Sequence, residues 1–174
     1  MSSMSDFWMV RAGRNSVHVD LFLEESCMFV GWGEGLGDRA FGVDRNALRA
    51  MIHELHPSRS KHKVLVAASQ LYRFLNEIGV GDTVMTYDAS QRRYLVGEVT
   101  GNARCRDAAT YARPVLWAKR VASDSITVGT RNTLGAILTV FRINSDASRE
   151  MASLCVAIDA SSDVSAALGP AGSG

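Results

Sequence analysis

Residues 80–100 have the sequence VGDTVMTYDASQRRYLVGEVT, in which two β-rich runs flank a polar link. The runs, residues 83–87 and 94–100, are rich in Val, Thr and Tyr, which favour extended backbone. The link at residues 88–93 is polar, as turns between strands commonly are. This stretch predicts a β-hairpin, and the patterns on either side predict what packs around it.

Two helical patterns precede the hairpin. The first begins after Asp44, a typical N-cap residue, and stops before Pro57; its apolar residues share one helical face: Leu48, Met51, Ile52 and Leu55. The second ends at Gly79, and its apolar residues also recur at helical spacing: Val64, Ala68, Leu71, Leu75 and Ile78. We expect two main helices, at residues 45–55 and 64–78.

Further strands are expected on both sides of these elements. Apolar or alternating runs predict strands at 7–12, 16–22 and 27–32, with a polar turn at 13–15. Residues 113–121 predict another strand with an edge position at Pro114. Residues 133–143 predict a short helical turn through Leu134 and a closing strand at 139–143. The pattern favours an α+β fold, a small mixed or antiparallel open β-barrel with two main helices.

The length of 174 residues suits one compact domain. We expect it to span residues 1–143, because residues 144–174 are rich in Ser, Ala and Gly, the composition of a linker or flexible tail. No apolar stretch approaches the roughly 20 residues of a membrane span. The first residues also lack the pattern of a secretory signal. These features predict a cytoplasmic protein with no membrane contact.

The sequence contains no recognisable catalytic or metal-binding motif. Cys27, Cys105 and Cys155 lie far apart without a CxxC pair, which argues against a disulfide framework or a structural zinc site. His53 and His56 could share a helix face, but no nearby sequence completes a convincing ligand set. Neither a nucleophile elbow nor a phosphate loop is present. We expect no catalytic residue, metal or cofactor in this chain.

The net charge of +1 means that contact with a polyanion must come from local clusters. Within residues 92–120 the acids are Glu98 and Asp107, against a larger basic set: Arg92, Arg93, Arg104, Arg106, Arg113, Lys119 and Arg120. A second basic cluster lies between the predicted helices, at Arg59, Lys61, His62 and Lys63. Both clusters are candidate phosphate-binding surfaces.

Several segments, taken in order along the chain, resemble the PUA-like superfamily, in particular the EVE-like domain at the N-terminus of Mrr-type restriction system proteins. They are FWMVRAG at 7–13, FVGW at 29–32 followed by Gly37 and Asp38, VGDTV at 80–84, YLVGEV at 94–99 and RPVLW at 113–117. The resemblance covers residues 7–143. It implies a small open barrel that holds RNA or a modified base and that, in restriction systems, is linked to a nuclease. No nuclease core is visible here, so the chain is expected either to be a reading domain with a linked or partner nuclease, or to be a stand-alone reader.

The resemblance favours a nucleic-acid-binding domain that recognises a modified, flipped base in DNA as the sensor of a restriction or defence system. An RNA-binding PUA-like domain is one alternative. A barrel that binds a protein or a small ligand, without nucleic acid, is another, because folds of this kind host several functions.

A base reader needs aromatic rings for stacking, polar groups for the base edge and cations for phosphate. Trp32 is the strongest stacking candidate because it adjoins a glycine-rich loop. Arg11, beside Gly13, is a candidate for a base edge or phosphate, or for a rim ion pair. Asp38 is an acceptor for an exocyclic amine, or a turn cap. The predicted nucleic-acid-binding residues are Trp8, Arg11, Gly13, Trp32, Asp38, Tyr87, Tyr94, Arg104, Arg113 and Trp117.

Overall fold

The computed structural model describes residues 6–158, which form a mixed α+β fold with an eight-stranded sheet curled into a half-barrel. The strands are β1 (Phe7–Val10), β2 (Cys27–Val30), β3 (Thr83–Asp88), β4 (Arg93–Val99), β5 (Arg104–Cys105), β6 (Tyr111–Ala122), β7 (Val140–Arg142) and β8 (Val156–Ala157). The helices are α1 (Val19–Glu24), α2 (Arg45–Leu55), α3 (Lys61–Tyr72), α4 (Val128–Leu134) and α5 (Ser145–Leu154). The α+β prediction is confirmed, and the half-barrel is consistent with an open barrel.

The central path of the sheet has the order β2-β6-β4-β3-β1-β7, with β5 and β8 also paired to β6. β1 and β3 are parallel, whereas β3 and β4 form the predicted antiparallel hairpin. β7 closes the sheet antiparallel to β1, as the pattern at residues 139–143 predicts. The sheet is therefore mixed, because β1 pairs in parallel with β3 on one side and antiparallel with β7 on the other.

β6 is twelve residues long and serves both halves of the sheet. Its first part, Tyr111 to Pro114, pairs with β2, and its second part, Val115 to Ala122, pairs with β4. The edge position predicted at Pro114 is therefore wrong. Pro114 lies opposite Cys27 of β2, and its carbonyl oxygen accepts a hydrogen bond from Thr100 N at 3.0 Å.

Two apolar clusters hold the sheet between helices. The larger includes Leu48 and Ile52 of α2 and Leu71 of α3, all at most 1% exposed. The smaller packs Met151 of α5 and Leu134 of α4 against Met9, Met85 and Val96 of the sheet. Full burial of one large apolar side chain contributes about 1.5–3 kcal/mol. The two clusters are the main source of stability for the half-barrel.

α2 and α3 confirm the two predicted main helices. Asp44 Oδ1 accepts a hydrogen bond from Ala47 N at 2.8 Å at the start of α2, and Ser60 Oγ accepts from Lys63 N at 3.2 Å at the start of α3. These side chains satisfy backbone donors that a helix start leaves unpaired. A π-helical turn, Arg73–Glu77, continues α3 toward Ile78. The basic residues of the cluster at 59–63 therefore flank the cap Ser60 and form the first turn of α3.

The strand predicted at residues 16–22 is wrong, because the chain turns and then forms α1 there. Asn15 and Ser16 have φ values of 55° and 61°, which are incompatible with an extended strand. Val19 and Phe22, three residues apart, are buried together on one face of α1. The strand predicted at 27–32 is confirmed as β2 over residues 27–30, and Gly31 and Trp32 lie outside it.

The linker or tail predicted at residues 144–174 begins instead with α5 and β8. Asn144 Oδ1 caps α5 by accepting a hydrogen bond from Ala147 N at 2.8 Å, and Met151 is fully buried beneath the helix. The small residues of this segment form a helix that packs closely on the sheet, not the irregular chain that their composition predicted. The remainder of that prediction, residues 159–174, lies outside the described residues. Within residues 6–158, no helix has the length and apolar character to cross a membrane.

Candidate nucleic-acid interface

Trp32 lies two residues after β2, where it is partly buried against the larger apolar cluster and borders two surface clefts. Its φ of 68° lies in the left-handed region, which costs a bulky residue about 1–3 kcal/mol. Gly33 next to it is packed so closely that a Cβ there would lie 2.5 Å from Tyr111 Cε2. Gly33 N also donates to Ala109 O at 3.1 Å. The backbone thus holds the indole in a strained, fixed position, and such strain concentrates at binding sites.

The larger cleft beside Trp32 has a volume of about 390 Å³. Arg59, His62 and Lys63 line it together with Val66 and Ala67 of α3. Its volume lies within the roughly 300–1,000 Å³ usual for ligand sites. An indole, an apolar helix face and cations therefore meet in one cleft.

A second cleft of about 250 Å³ touches Trp32 from the direction of the 109–110 loop. It is lined by Glu34, His56, Arg59 and Thr110 as well as the backbone of Gly31. Arg59 lines both clefts. Glu34 is the acid among these lining residues and is a candidate hydrogen-bond acceptor for an amine.

A third cleft, of about 480 Å³, runs between α2 and α3. Arg49, His53, Lys61 and His62 line it around the exposed Leu65. His62 also lines the larger Trp32 cleft, so the two clefts adjoin. We call Trp32 with Arg59, Lys61, His62 and Lys63 the Trp32 face.

The cations of the Trp32 face are exposed and uncommitted. Arg59, Lys61 and Lys63 form no ion pair with any acid in residues 6–158. The cations of residues 92–120 are mostly engaged: Arg92 contacts Asp124 at 3.3 Å, and Arg93 contacts the buried Asp88 at 3.3 Å. The phosphate surface predicted at 59–63 is therefore the more available of the two.

Arg106 is also engaged. Its guanidinium makes two hydrogen bonds of 2.9 Å to the Glu25 carboxylate and lies over the Phe29 ring at 3.9 Å. The hydrogen bond to Arg106 lowers the pKa of Glu25. This ion pair joins the turn after α1 to the loop after β5, and it leaves Arg106 little freedom to contact a ligand.

Three of the predicted binding residues meet at another place, the end of the sheet where β1 and β3 finish. Arg11, Gly13 and Tyr87 line a cleft of about 250 Å³ there, and the buried Tyr94 packs behind Tyr87 at a ring separation of 4.9 Å. Arg11 forms no ion pair with the acids of residues 6–158. Its side chain donates instead to the carbonyl oxygens of Leu134, Ala136 and Leu138. Desolvation lowers the pKa of this guanidinium.

Trp8, Arg113 and Trp117 hold the fold rather than face a ligand. Trp8 is 1% exposed, and its Nε1 donates to Asp82 Oδ2 at 3.1 Å. Trp117 Nε1 donates to Cys27 O at 2.9 Å, and its ring stacks on Phe22. The sequence shows that these strands contain tryptophan, but it does not show whether the side chain faces the core or the solvent.

Arg113 is 2% exposed and donates hydrogen bonds to the carbonyl oxygens of Phe74, Ile78 and Gly101. Burial lowers the pKa of this guanidinium. A cation enclosed in this way does not reach phosphate, so its predicted role is corrected to a structural one.

Arg104 belongs to β5, and Asp38 contacts the next residue of that strand. Cys105 Sγ donates to Asp38 Oδ1 at 3.2 Å, and both Asp38 and Arg104 are exposed. Within residues 6–158, no group of His, Cys, Asp and Glu is placed to hold a metal ion. The contributions of His56, Val66 and Thr110 to the Trp32 clefts were not predicted, because only the tertiary fold brings them to the indole.

The comparisons with known proteins give one match. A family model described as a domain of unknown function (DUF8426) matches residues 8–144. No curated protein and no solved structure matches the chain.

Proposed function

The chain belongs to the DUF8426 family, whose description assigns no function, and we propose that it is a nucleic-acid-binding domain that holds an unpaired base against Trp32. The observation that supports this most is the position of Trp32, partly exposed beside Arg59, His62 and Lys63 in a cleft of about 390 Å³. Protein modules that bind unpaired nucleotides combine an aromatic platform with nearby cations.

The two parts of the Trp32 face would contribute in different ways. Stacking of a base on the indole is worth about 1–3 kcal/mol and tolerates any base. Arg59 and Lys63 would contact the phosphates on either side of the stacked base, and such contacts make affinity fall with salt. In this proposal the cations attract the phosphates of the nucleic acid, and Trp32 holds one base by stacking.

The finer form of the proposal is recognition of a modified, flipped base in DNA, as the sensor of a restriction or defence system with a linked or partner nuclease. The sequence resemblance to PUA-like, EVE-like domains favours this form, and the half-barrel is compatible with it. The second Trp32 cleft supplies Glu34 and Thr110 for the edge of a base. RNA is the alternative ligand with the same phosphate and base chemistry.

A protein-binding or small-ligand role is the second candidate, and one observation favours it. The cleft between α2 and α3 is lined by Ala50, Val64 and Leu65, and Leu65 is 44% exposed. An apolar cleft of about 480 Å³ is suited to an aliphatic or aromatic ligand group. A ligand of this class would bind with little dependence on salt.

The test is binding of labelled single-stranded oligonucleotides that differ at one base: cytosine, 5-methylcytosine, 5-hydroxymethylcytosine or N6-methyladenine. We expect binding that weakens with salt, a preference for at least one modified base, and a loss of about tenfold or more in Trp32→Ala. Trp32→Phe is the matched control, because it keeps an aromatic ring and should retain most of the affinity. Tyr87→Ala tests whether the cleft at Arg11 and Gly13 is used instead.

Equal affinity for all four oligonucleotides, unchanged in Trp32→Ala, would exclude the Trp32 pocket. Binding that is absent even at low salt would exclude the nucleic-acid function and favour the α2–α3 cleft as the site. A matched set of RNA oligonucleotides separates DNA from RNA, because the 2′-hydroxyl distinguishes the two ligands at one site.

A further inference from the structure

Three of the surface clefts described above form one groove, because neighbouring clefts share lining residues. Trp32 and Arg59 line both the second Trp32 cleft and the larger Trp32 cleft. His62 lines both the larger Trp32 cleft and the α2–α3 cleft. The groove therefore runs from Glu34, past Trp32 and the first turn of α3, to Arg49 of α2. We call it the three-cleft groove.

The charge of this groove changes along its length. Glu34 is the acid among the described lining residues, and it lies in the second Trp32 cleft. The larger Trp32 cleft and the α2–α3 cleft are lined by basic side chains without an acid: Arg49, His53, Arg59, Lys61, His62 and Lys63. Within residues 6–158, Arg49 forms no ion pair, as is the case for the cations at 59–63. A polyanion is therefore favoured between Trp32 and α2, and disfavoured beside Glu34.

The α2–α3 cleft has the surfaces that an unpaired base requires. Ala50 and the 44% exposed Leu65 form an apolar wall, and the side chains of His53 and His62 line the same cleft. Imidazole rings and apolar side chains both pack on the faces of unstacked bases. The volume of this cleft, about 480 Å³, exceeds that of the larger Trp32 cleft, about 390 Å³. A cleft of this size has room for the same ligand group as the cleft beside Trp32.

We propose that the three-cleft groove binds a single-stranded segment of several nucleotides, with one base at Trp32 and another in the α2–α3 cleft. This inference rests on the proposed function and specifies its ligand as an unpaired segment rather than one flipped base in a duplex. Arg49 and Lys61 bind phosphates of the segment that lie beyond the nucleotide at Trp32. A single flipped base would leave the α2–α3 cleft empty.

Charge and continuity favour nucleic acid over a protein partner in this groove. A single strand carries a phosphate at every nucleotide, so its negative charge repeats along its length. The larger Trp32 cleft combines a stacking surface, Trp32, with the cation Lys63. The α2–α3 cleft repeats this combination with Leu65 and Lys61. Proteins that bind single strands use this succession of stacking surfaces and cations, whereas the core of a protein interface is depleted of charge.

The experiment compares a thymidine dinucleotide with a thymidine hexanucleotide, each bound by the whole chain over a series of salt concentrations. Arg49→Gln combined with Lys61→Gln should lower the slope of log affinity against log salt by about 1.4 for the hexanucleotide, because each lost phosphate contact removes about 0.7. The slope for the dinucleotide should stay nearly unchanged, because this ligand stacks at Trp32 and ends before the α2–α3 cleft. Isothermal titration calorimetry gives the affinities.

A second variant tests the base in the α2–α3 cleft. Leu65→Ala should weaken binding of the hexanucleotide about threefold or more and leave that of the dinucleotide within about twofold. Leu116→Ala is the matched control, because Leu116 is 59% exposed and lines a cleft that shares no residue with the groove. It should change neither affinity.

The control for charge is Arg14→Gln combined with Arg104→Gln. Both side chains are exposed and line none of the three clefts, so this variant loses the same charge outside the groove. Its hexanucleotide slope should stay close to that of the unsubstituted chain. Because every substituted side chain is exposed, all variants should keep nearly the same Tm, which thermal unfolding checks.

An unchanged hexanucleotide slope in the Arg49 and Lys61 variant would overturn the inference, because the strand would then not enter the α2–α3 cleft. Loss of dinucleotide binding in Trp32→Ala would still leave the proposed function standing. An equal loss of slope for both oligonucleotides, or in the Arg14 and Arg104 variant, would also contradict the inference. Hexaglutamate that binds more tightly than the hexanucleotide, and that is lost with Arg49 and Lys61, would assign the cleft to an acidic protein segment. Absence of binding to either oligonucleotide at low salt would reject the proposed function itself.

Discussion

Two basic regions that look alike in the sequence are used differently in the fold. The region at residues 92–120 has the larger basic excess, but Arg92, Arg93 and Arg106 pair with carboxylates and Arg113 is buried among carbonyl oxygens. The region at residues 59–63 has fewer cations, and they are exposed without acidic partners in the described chain. Local basic excess is therefore a poor measure of the charge that a ligand can reach.

The physical reason lies in what surrounds each region. Three cations of residues 92–120 lie where a neighbouring carboxylate is within reach: Arg92 beside Asp124, Arg93 beside Asp88 and Arg106 beside Glu25. Arg104 and Lys119 of the same region are exposed and pair with none of these acids. The cations of residues 59–63 flank the N-cap Ser60 and lie in the first turn of α3, where they are exposed to solvent. Cations at the start of a helix that have no carboxylate nearby remain free to contact a ligand.

The largest difference is expected between Arg113→Met and Arg59→Met. Methionine at 113 leaves the carbonyl oxygens of Phe74, Ile78 and Gly101 without their donor, which should lower the free energy of unfolding by about 3 kcal/mol or more. Arg59→Met should change it by less than about 0.5 kcal/mol, because Arg59 is exposed. Urea unfolding followed by Trp fluorescence measures both. Equal effects would mean that Arg113 is not a structural cation.

The next effect concerns binding. The double variant Arg59→Gln and Lys63→Gln should lower the slope of log affinity against log salt by about 1.4 for single-stranded DNA, because each lost phosphate contact removes about 0.7. The matched variant with Arg92→Gln and Arg106→Gln should leave the slope nearly unchanged. Fluorescence anisotropy over a salt series gives the two slopes. The opposite ranking would move the phosphate contacts to residues 92–120.

A smaller effect is expected when a cation of residues 92–120 is released. Glu25→Gln removes the carboxylate that holds Arg106 and should add at most one phosphate contact, raising the salt slope by up to about 0.7. Glu24→Gln, a neighbouring exposed acid at the end of α1, is the control for the change in net charge. The same rise in both variants would indicate a general charge effect rather than release of Arg106.

The smallest expected effect is on the pH dependence of stability. Arg106 lowers the pKa of Glu25 from its ordinary value of 4.5 in the folded state, so this pair stabilises the fold above that pH. The contribution should be lost as the pH falls below 4.5 through the lowered value. Glu25→Gln should therefore flatten the change of Tm with pH in the acid range. Thermal unfolding of both proteins from neutral pH downward checks this, and parallel curves would contradict it.

The fold was predictable where local chemistry was decisive. Asp44 and the apolar spacing that follows it determine α2, and the runs on either side of residues 88–93 determine the β3–β4 hairpin. The alternation Val17, Val19, Leu21 indicated a strand but gave way to α1. The left-handed backbone at Asn15 and Ser16 turns the chain just before these residues, so they do not pair with a neighbouring strand. Asn15 lies in the predicted turn and tolerates this conformation, but no local pattern indicates it at Ser16.

The candidate site was predictable only in part. The glycines around Trp32 indicated a ring near accessible backbone, and the structure places that ring beside two clefts. The strand alternation did not reveal that Trp8 faces inward, because both faces of this curled sheet are covered by helices. The acceptors around Arg113 come from residues at least twelve positions away in the chain, so only the tertiary fold reveals them.

β6 has a mechanical consequence for the whole molecule. Because a single strand forms ladders with β2, β4, β5 and β8, neither apolar cluster can separate from the sheet without breaking hydrogen bonds that also support the other. Opening should then be all-or-none, with the amide hydrogens of Val115 to Val121 among the last to exchange with solvent. A ligand bound at either end of the half-barrel would therefore slow amide hydrogen exchange across the whole sheet. Binding at Trp32 would also slow exchange in α5.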